Sequence, residues 1–380
     1  MREQIYLDNA ATTPVDLRVF EKMKPFFTES FGNPSSIHTF GRKVKIPVED
    51  ARREIANALN TKPPRIIFTS GGTESDFMAI TGAAFANKNK GNHLIISTIE
   101  HSAVIEATKF LANFGFETTY LPVNQYGQVE IDSLKDAIRD ETVLISIMYV
   151  NNEIGTIQPI EEIGTIARDK GILFHTDAVQ AFPILKIDVN DLPVDLLTVS
   201  SHKINGPKGV GALYIRDGIK ITPIFGGTQE KSRRGGTENV PGIIGFGEAA
   251  RLLVEKRDEK YQIFMQYKEK MLDIWKDEIG TEHFIVNGHP DNMVPSILNV
   301  SFLGIESHTM IMALDMKNIA VSGGSACASG AVDISRVIKA LKVSKDITLS
   351  AVRISFGLKN TVEEVEMAAK TIAQVVKSRR

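Results

Sequence analysis

At 380 residues, of which 43% are hydrophobic and 24% charged, this chain has the composition of a globular protein and a length that suits two domains. Its formal net charge of −2 gives no electrostatic reason to expect nucleic acid or a membrane surface as a partner. No apolar run reaches the roughly 18–20 residues of a membrane span, and the first residues lack the apolar core of a signal peptide, so we expect a cytoplasmic protein.

Short apolar runs alternate with amphipathic stretches from about residue 65 to 215. Nearly continuous β-branched runs are typical of strands buried on both faces. Residues 131–139 and 160–170, between such runs, are predicted to be crossover helices. The first part of the chain is therefore predicted to be an α/β domain with a mostly parallel sheet. The predicted strands are 65–69, 93–98, 142–150, 171–175, 195–200 and 210–215.

The pattern changes after Pro241. Residues 242–278 are charged, amphipathic and free of proline, which predicts helices that leave the first domain. Short strands at 297–302 and 351–356 follow, with helices around them, as in an α+β arrangement. The last helix is predicted to have one apolar face. That face comprises Val362, Val365, Ala369, Ile372 and Val376.

Polar residues follow the predicted strands, and ligands of open α/β sheets lie beyond the carboxyl ends of the strands. The strand at 65–69 is followed by Ser70-Gly71-Gly72-Thr73. Two glycines before a helix expose N–H groups that attract a phosphate. Alternatively, Thr73 is the N-cap of that helix and Asp76 completes a box-like start. Both readings remain open at this point.

Two further strand ends carry charged residues. Asp177, after the strand at 171–175, is either a helix cap, a magnesium ligand or the partner of a protonated ring nitrogen. Lys203 follows the strand at 195–200 and precedes a Gly/Pro turn. A partly desolvated lysine has a lowered pKa and forms imines. The neighbouring Ser200 and His202 are both able to hydrogen-bond a phosphate.

His101 and Asn152 follow two other predicted strands. A histidine in such a position is either a satisfied polar residue or a ring that stacks on a flat aromatic cofactor. Together, the strand ends supply a phosphate cradle, an anion, an imine-forming lysine and a stacking ring. This combination is what pyridoxal phosphate requires.

Cys327 is the only cysteine in the chain. One cysteine excludes an internal disulfide, a four-cysteine zinc site and a self-ligated iron–sulfur cluster. It is either a buried residue that packs like a small hydrophobe or a reactive thiol. Its small neighbours, in the segment SACASG at 325–330, cannot form a stiff apolar shell, which favours a mobile loop and a reactive thiol.

Segments along nearly the whole chain resemble the cysteine desulfurases, the NifS/IscS-like group of the class-V aminotransferase family. The resemblance implies the fold-type-I architecture of pyridoxal-phosphate enzymes, in which a large α/β domain with a mostly parallel seven-stranded sheet flanked by helices is joined to a smaller α+β domain. It implies an N-terminal segment, 1–15, that packs with the small domain, a cofactor-binding domain at 16–255, and a small domain at 256–380 that carries the cysteine loop. The segments are YLDNAATTP, FGNPSSIH, FTSGGTES, EHSAV, VNNEIGTIQP, HTDAVQ, SSHKINGPKGVGALY, RRGGTENV, SGGSACASG and VRISFG.

The same resemblance implies the roles of individual residues in binding pyridoxal 5′-phosphate. Lys203 would hold the cofactor as an imine, and Asp177 would pair with the pyridine nitrogen. Thr237 would reach the phosphate of the other subunit, which implies a homodimer. The other cofactor residues would be Gln180 at the ring hydroxyl, His101 stacked on the ring, Asn152 beside it, and Gly72, Thr73, Ser200 and His202 at the phosphate.

The substrate implied is L-cysteine, with its carboxylate held by Asn33, Asn152 and Arg353. Cys327 would take the sulfur as a persulfide and leave L-alanine, with His101 moving protons to or from the sulfur. The persulfide would pass to an acceptor protein for iron–sulfur cluster assembly, thio-cofactor synthesis or tRNA thiolation. No metal is expected. SGGSACASG resembles the subgroup that has a longer, mobile cysteine loop.

One position departs from the group. Phe77 stands where its members usually have Asn, and we expect it to affect packing more than phosphate binding. The rival interpretations are a selenocysteine lyase, an aminotransferase, and a docking scaffold that has lost catalysis. An aminotransferase has no need of a loop thiol, and a scaffold has no reason to keep Lys203, Asp177, His101 and Cys327 together.

Overall fold

The structure is a computed structural model that describes residues 4–324 and 334–379. Twelve strands form three sheets within these residues. None of the helices found there is both long enough and apolar enough to cross a membrane. The strands are β1 (Ile5–Tyr6), β2 (Ile66–Thr69), β3 (His93–Ser97), β4 (Glu117–Leu121), β5 (Thr142–Ser146), β6 (Leu173–Asp177), β7 (Leu196–Ser200), β8 (Gly211–Ile215), β9 (Phe284–Asn287), β10 (Ile297–Phe302), β11 (Ile319–Ala320) and β12 (Ala351–Ser355).

The central sheet has seven strands in the order β2-β8-β7-β6-β5-β3-β4. Only β8 runs antiparallel to its neighbours, so the predicted mostly parallel sheet is confirmed. Alternate residues of its strands enter two separate apolar clusters: Ile95 of β3 joins one, while Leu94 and Ile96 join the other. Both faces of the sheet are therefore covered, which explains the continuous apolar runs.

The apolar runs predicted six of these seven strands and missed β4. This strand lies at the sheet edge and pairs with β3 alone. Of its five residues only Leu121 is buried, and Glu117 and Tyr120 are exposed. An edge strand open to solvent needs no apolar run, so this strand gives a weak signal in the sequence.

The helices of the described residues connect and cover these strands. The two predicted crossover helices are confirmed and end slightly earlier than expected. The helices are α1 (Leu17–Met23), α2 (Pro25–Thr28), α3 (Thr39–Ala58), α4 (Gly72–Ala86), α5 (Ser102–Ala112), α6 (Ile131–Ala137), α7 (Ile160–Asp169), α8 (Gln229–Ser232, a kinked turn), α9 (Val240–Ile279), α10 (Ser307–Asp315), α11 (Arg336–Ala340), α12 (Lys345–Ser350) and α13 (Val362–Ser378).

The stretch predicted as several helices after Pro241 is one helix of 40 residues, α9. Pro241 lies in its first turn, and the Asn239 side chain accepts a hydrogen bond from the Gly242 N–H. Gly280, with a positive φ of 82°, ends the helix. No proline interrupts the residues between these signals, so nothing forces the helix to break.

The C-terminal part contains a second sheet in the order β12-β10-β9, which is antiparallel. The predicted apolar face of α13 is confirmed at four positions, and the fifth, Val362 in the first turn, is 41% exposed. The N-terminal β1 pairs with β11, and Thr13 then donates through its N–H to the carbonyl of His202. This segment therefore contacts both parts of the molecule. The boundaries 1–15, 16–255 and 256–380 remain a proposal, since α9 continues through residue 255.

Candidate active site

Four of the predicted site residues lie at the carboxyl end of the central sheet. Asp177 is the last residue of β6, and Lys203 ends a 3₁₀ turn, Ser201–Lys203, that follows β7. His101 follows β3 at the start of α5, and Asn152 follows β5. These four strands are parallel and adjacent, so their ends share one edge of the sheet. A ring nitrogen of His101 lies within 4.8 Å of a carboxylate oxygen of Asp177.

The Lys203 amine is held at this edge by the N-terminal segment. Its Nζ donates to the carbonyl oxygen of Ala10 and, at 2.9 Å, to that of Ala11. Burial, reinforced by the charge of Arg353, lowers the pKa of Lys203 to about 8. A useful fraction of the amine is therefore unprotonated near neutral pH, as imine formation requires.

Asp177 is a buried carboxylate with one local hydrogen bond. Its Oδ1 accepts from the Val179 N–H at 2.9 Å, a bond that closes a turn; no helix begins in the described residues directly after Asp177, so it is not a helix cap. Burial raises the pKa of Asp177, while the charges of His101 and Lys203 oppose that rise. One ligand atom each from Asp76, His101 and Asp177 lie within 4.8 Å of one another, so the spacing alone also suits a small cation.

The start of α4 has the form of an anion cradle. Gly71 is the N-cap, with a φ of 155°, and no side chain caps the helix. The alternative in which Thr73 caps the helix and Asp76 completes a box is therefore wrong. Thr73 is exposed, and the Asp76 carboxylate is buried against the sheet. The first N–H groups of α4 are left for another acceptor.

Ser200 lies beside this cradle, and His202 follows it two residues later in the chain. A Cβ atom added to Gly72 would lie 3.8 Å from the Ser200 Cβ, and the buried Ser200 Oγ has no hydrogen-bond partner among the described residues. His202 contacts Thr12 through its Nδ1, 3.1 Å from the threonine Oγ1. Burial, followed by the charge of Lys203, lowers the pKa of His202 to about 4. His202 is therefore a neutral donor or acceptor at this position.

His101 and Gln180 are both engaged with backbone groups. The Nδ1 of His101 accepts from the Ala103 N–H at 3.2 Å, so Nε2 is the ring nitrogen left to donate a hydrogen bond. Gln180 is 8% exposed, and its Nε2 donates to the carbonyl oxygen of Ala10 at 2.9 Å. The helix-capping role of His101 and an exposed ring face are compatible, since capping uses only one nitrogen.

Arg353 joins the second sheet to this edge. It lies on β12 and is 4% exposed, and its Nη2 forms an ion pair with the Asp8 carboxylate at 2.8 Å. Its Nη1 donates to the Asn152 carbonyl at 2.9 Å. Its Nε is buried and has no partner among the described residues. A guanidinium fixed in this way near Lys203 is suited to a carboxylate ligand.

Asn33 and Thr237 are not joined to this group by any contact between described residues. Asn33 is exposed in the loop before α3, and its Oδ1 accepts from the Ser35 N–H at 2.9 Å. Thr237 is exposed just before α9 and follows Gly236, which has a φ of 110°. Cys327 lies outside the described residues. Phe77 packs on Phe110 of α5, with ring centroids 5.2 Å apart.

Two buried carboxyl groups beneath the site were missed in the sequence. Asp76 was considered only as part of a cap, and Glu100 was not considered. Glu100 is 1% exposed and accepts from the Ser97 hydroxyl at 2.5 Å and from the Met148 N–H. The available signal was a lone aspartate within the almost wholly apolar stretch 76–86 of α4, since charged residues are rarely buried without a reason.

Known proteins are similar to this chain along almost its whole length. The aminotransferase class-V family model matches residues 5–367. A putative cysteine desulfurase IscS 1 of Bacillus subtilis (strain 168) is 50% identical over 377 residues, which cover 99% of each protein. The cysteine desulfurase IscS of Methanosarcina thermophila is 48% identical over 99% of this chain and 93% of its own length.

Solved structures show the same architecture. A NifS-like protein superposes with a TM-score of 0.92 at 35% identity, covering 99% of this chain and 100% of that chain. SspA in complex with cysteine superposes with a TM-score of 0.80 at 38% identity, covering 93% and 98%. With the family model spanning nearly the whole length and the relatives matching end to end, this chain belongs to the aminotransferase class-V family, in its NifS/IscS-like group of cysteine desulfurases.

Proposed function

We propose that this chain is a pyridoxal-phosphate-dependent cysteine desulfurase that converts L-cysteine to L-alanine and transfers the sulfur to Cys327. The observation that carries the proposal is the meeting of Lys203, whose pKa is lowered to about 8, with Asp177 and His101 at one sheet edge. Relatives named as cysteine desulfurases match almost the full length. A scaffold without catalysis would have no use for such a buried set of ionisable groups.

The residues at this edge fit pyridoxal phosphate. The uncapped start of α4 and the unpartnered Ser200 Oγ are suited to a phosphate. His202 and the exposed Thr73 would add to this phosphate site. The buried Asp177 is suited to a protonated ring nitrogen, with Gln180 near the ring hydroxyl and Asn152 beside the ring. When bound, this cofactor supplies a sink for the electrons released from the substrate Cα.

The residues of the chain would then handle protons. Lys203, with its lowered pKa, is the base that takes the Cα proton once it is free of the cofactor. The protonated Nε2 of His101 is available to move a proton to or from the substrate sulfur, because its Nδ1 is occupied by the Ala103 N–H. Arg353, with Asn152 and Asn33, would bind the substrate carboxylate.

Cys327 would be the sulfur acceptor. Its thiolate attacks the sulfur of the bound cysteine, an S–S bond forms, and the Cβ–S bond breaks with its electrons left on carbon. Protonation of that carbon gives alanine, so that cysteine and a thiol become alanine and a persulfide with atoms and electrons balanced. Because the chain has no second cysteine, the persulfide must be passed on, and an acceptor protein of iron–sulfur cluster assembly, thio-cofactor synthesis or tRNA thiolation is proposed.

A homodimer is part of the proposal, with Thr237 completing the phosphate site of the partner subunit. Large apolar side chains are exposed near the start of the chain, among them Phe31 at 64%, Ile37 at 90% and Ile46 at 67%. A cavity of about 400 Å³ is bordered by residues from both 34–67 and 228–238. The exposed apolar surface therefore adjoins the segment that carries Thr237, and such surfaces mark interfaces.

The decisive experiment measures alanine and sulfide released from L-cysteine in the presence of a thiol reductant. Cys327→Ser is expected to keep the bound-cofactor absorbance and to lose activity by about 100-fold or more. Lys203→Ala is expected to lose both the cofactor absorbance and the activity. Lys208→Ala, which changes an exposed lysine of the same turn, is expected to keep both. Full activity of Cys327→Ser, or a wild type that stays colourless with pyridoxal phosphate, would contradict the proposal. Selenocysteine as a parallel substrate separates a desulfurase from a selenocysteine lyase.

A further inference from the structure

Asp76 is a buried carboxyl group that the proposed reaction does not use. It lies in the second turn of α4 and is 1% exposed, and neither of its carboxylate oxygens has a partner in full hydrogen-bond geometry among the described residues. The Thr198 hydroxyl lies near enough to favour its charged form. Apolar residues of the same helix, including Met78 and Ala79, pack into the cluster on one face of the central sheet. An ionised carboxylate without any partner is very costly in such surroundings.

No lysine or arginine of the described residues forms an ion pair with Asp76. The nearest basic group is His175 of β6, whose Nε2 lies 3.7 Å from the Asp76 Oδ1. Both nitrogens of His175 contact hydroxyl groups, Nδ1 that of Ser146 at 2.8 Å and Nε2 that of Thr198 at 3.1 Å. Burial lowers the pKa of His175 to about 3, so this ring is neutral at physiological pH.

Asp76 instead faces a second carboxyl group. One carboxylate oxygen of Asp76, one of Asp177 and a ring nitrogen of His101 lie within 4.8 Å of one another. The buried Glu100 is a further acidic neighbour of Asp76. Two buried carboxyl groups this close disfavour each other's ionised form, so that the second ionisation is the more costly one. Burial and the charge of Asp177 raise the pKa of Asp76 well above its usual value, against the opposing effect of the Thr198 hydroxyl. Burial raises the pKa of Asp177 too, but His101, the Val179 N–H and Lys203 oppose that rise and favour its charged form.

We propose that Asp76 is a positioning residue that carries the proton of this buried carboxyl pair and so leaves Asp177 as its anion. The placement of the proton does not depend on the proposed cofactor. Its use does rest on the proposed function, because Asp177 is the group suited to a protonated ring nitrogen. The pair then presents one negative charge to that nitrogen instead of two. A single buried anion balances a single ring charge, whereas a second one would remain uncompensated.

The test uses the cofactor-free protein, so that failure of cofactor binding does not obscure it. Infrared spectroscopy at pH 7 distinguishes a protonated carboxyl group from a carboxylate. The wild type is expected to show carboxylic-acid bands, one of which is lost in Asp76→Asn and retained in Asp177→Asn. Glu100→Gln is the control that identifies the second acid band, and Asp273→Asn, an exposed carboxylate, is expected to change neither.

A second measurement uses stability and does not depend on assigning a band. The raised pKa of Asp76 means that the wild type loses stability as pH rises above the ordinary aspartate value. Asp76→Asn, which has no proton to lose, is expected to gain stability relative to the wild type from pH 4 to pH 8, with no gain at the acid end. Equal pH profiles for the two proteins would overturn the proposal.

The cofactor-loaded protein gives a third readout. Asp76→Asn is expected to bind pyridoxal phosphate within about 3-fold of the wild type, because a neutral amide replaces a neutral acid, whereas Asp177→Asn is expected to bind at least about 10-fold more weakly. Equal weakening in both variants would place the anion on Asp76 and overturn the assignment. It would also be overturned if Zn²⁺ or Mg²⁺ stabilised the cofactor-free wild type but not Asp76→Asn, since the group would then be a metal site.

Discussion

Several buried polar side chains without partners lie at the carboxyl edge of the central sheet. Most buried polar groups in proteins are hydrogen-bonded, yet the hydroxyls of Thr98, Thr176 and Ser200 have no partner among the described residues. The Nε of Arg353, which reaches the same edge from the second sheet, is also unpartnered. Groups left in this state are ready to bind a ligand without first breaking internal hydrogen bonds, and this supports placing the cofactor there.

The proposed contact of the Ser200 hydroxyl with the cofactor can be tested by removing that single oxygen atom. Ser200→Ala removes a hydroxyl that makes no hydrogen bond in the described protein, so the cofactor-free stability is expected to change by less than about 0.5 kcal/mol. Affinity for pyridoxal phosphate is expected to fall about 10-fold, since a bond to a charged phosphate is lost. Titration of the cofactor absorbance measures this. Ser301→Ala is the matched control: its hydroxyl donates to the Ile347 carbonyl at 2.7 Å, so stability should fall and cofactor affinity should not.

Glu100 gives a prediction about pH. Burial raises the pKa of Glu100 to about 8 from 4.5, against the hydrogen bonds from Ser97 and Met148. The folded protein therefore holds a proton that the unfolded chain releases above about pH 4.5. Wild-type stability should decline between pH 4.5 and 8 by up to about 1.4 kcal/mol per pH unit from this group.

The Glu100→Gln variant should remove that slope, and denaturant unfolding at a series of pH values measures it. Relative to the wild type, the variant gains stability as pH rises through this window and then stays level. Glu106→Gln, an exposed glutamate of α5, should leave the slope unchanged. A wild type and a Glu100→Gln variant with parallel profiles would show that Glu100 is ionised in the folded protein.

Among the helices and strands, α9 is the element that packs on both halves of the molecule. Gly247, near its start, packs so closely on α3 that an added Cβ would lie 2.6 Å from the Ala51 Cβ. Near its end, Trp275 is fully buried, packs on Phe302 with ring centroids 5.2 Å apart, and donates its indole N–H to the Ala369 carbonyl at 3.0 Å. A single rigid helix thus fixes the second sheet, with Arg353, relative to the central sheet.

Trp275→Ala should therefore destabilise the chain by about 3–5 kcal/mol, from lost burial, the cavity and the unpaired Ala369 carbonyl. Circular dichroism in urea is the measurement, because Trp275 is the only tryptophan and its fluorescence would be lost. Met367→Ala, at a position of α13 that is 61% exposed, should cost less than about 0.5 kcal/mol. Similar losses in both variants would argue against Trp275 as the anchor.

At the level of the whole molecule, residues 17–46 carry several large apolar side chains that are exposed. Phe31 and Phe40 lie against one another, with ring centroids 5.8 Å apart, and are 64% and 57% exposed. Leu17 and Ile37 are 76% and 90% exposed. Burial of these side chains in the proposed homodimer would remove them from water, which is the main driving force of association.

Ile37→Asp should convert the proposed dimer to a monomer in light scattering coupled to size exclusion. Because Thr237 is proposed to serve the partner subunit, cofactor affinity should fall with the loss of the dimer. Met316→Asp places the same charge at an equally exposed site, 85% exposed, beyond α10, and should change neither. A wild type that is monomeric at all concentrations would refute the proposed dimer.

The sequence by itself determined six of the seven strands of the central sheet and the identity of most strand-end residues. Both are local: a strand buried on two faces requires a continuous apolar run, and a residue that follows such a run lies at the sheet edge. The placement of α9 and the second sheet relative to the central sheet could not be predicted in this way. The pattern after Pro241 indicates a helix but not its unbroken length.

Only the tertiary structure decided which distant groups meet. Asp76 was ambiguous in the sequence because a cap and a buried carboxyl group have the same local pattern, and only the packing of α4 on the sheet turns it toward Asp177. Likewise, the ion pair between Asp8 and Arg353 and the contact of Lys203 with Ala11 join residues far apart in the chain. Such contacts depend on how whole elements pack, and no local periodicity records them.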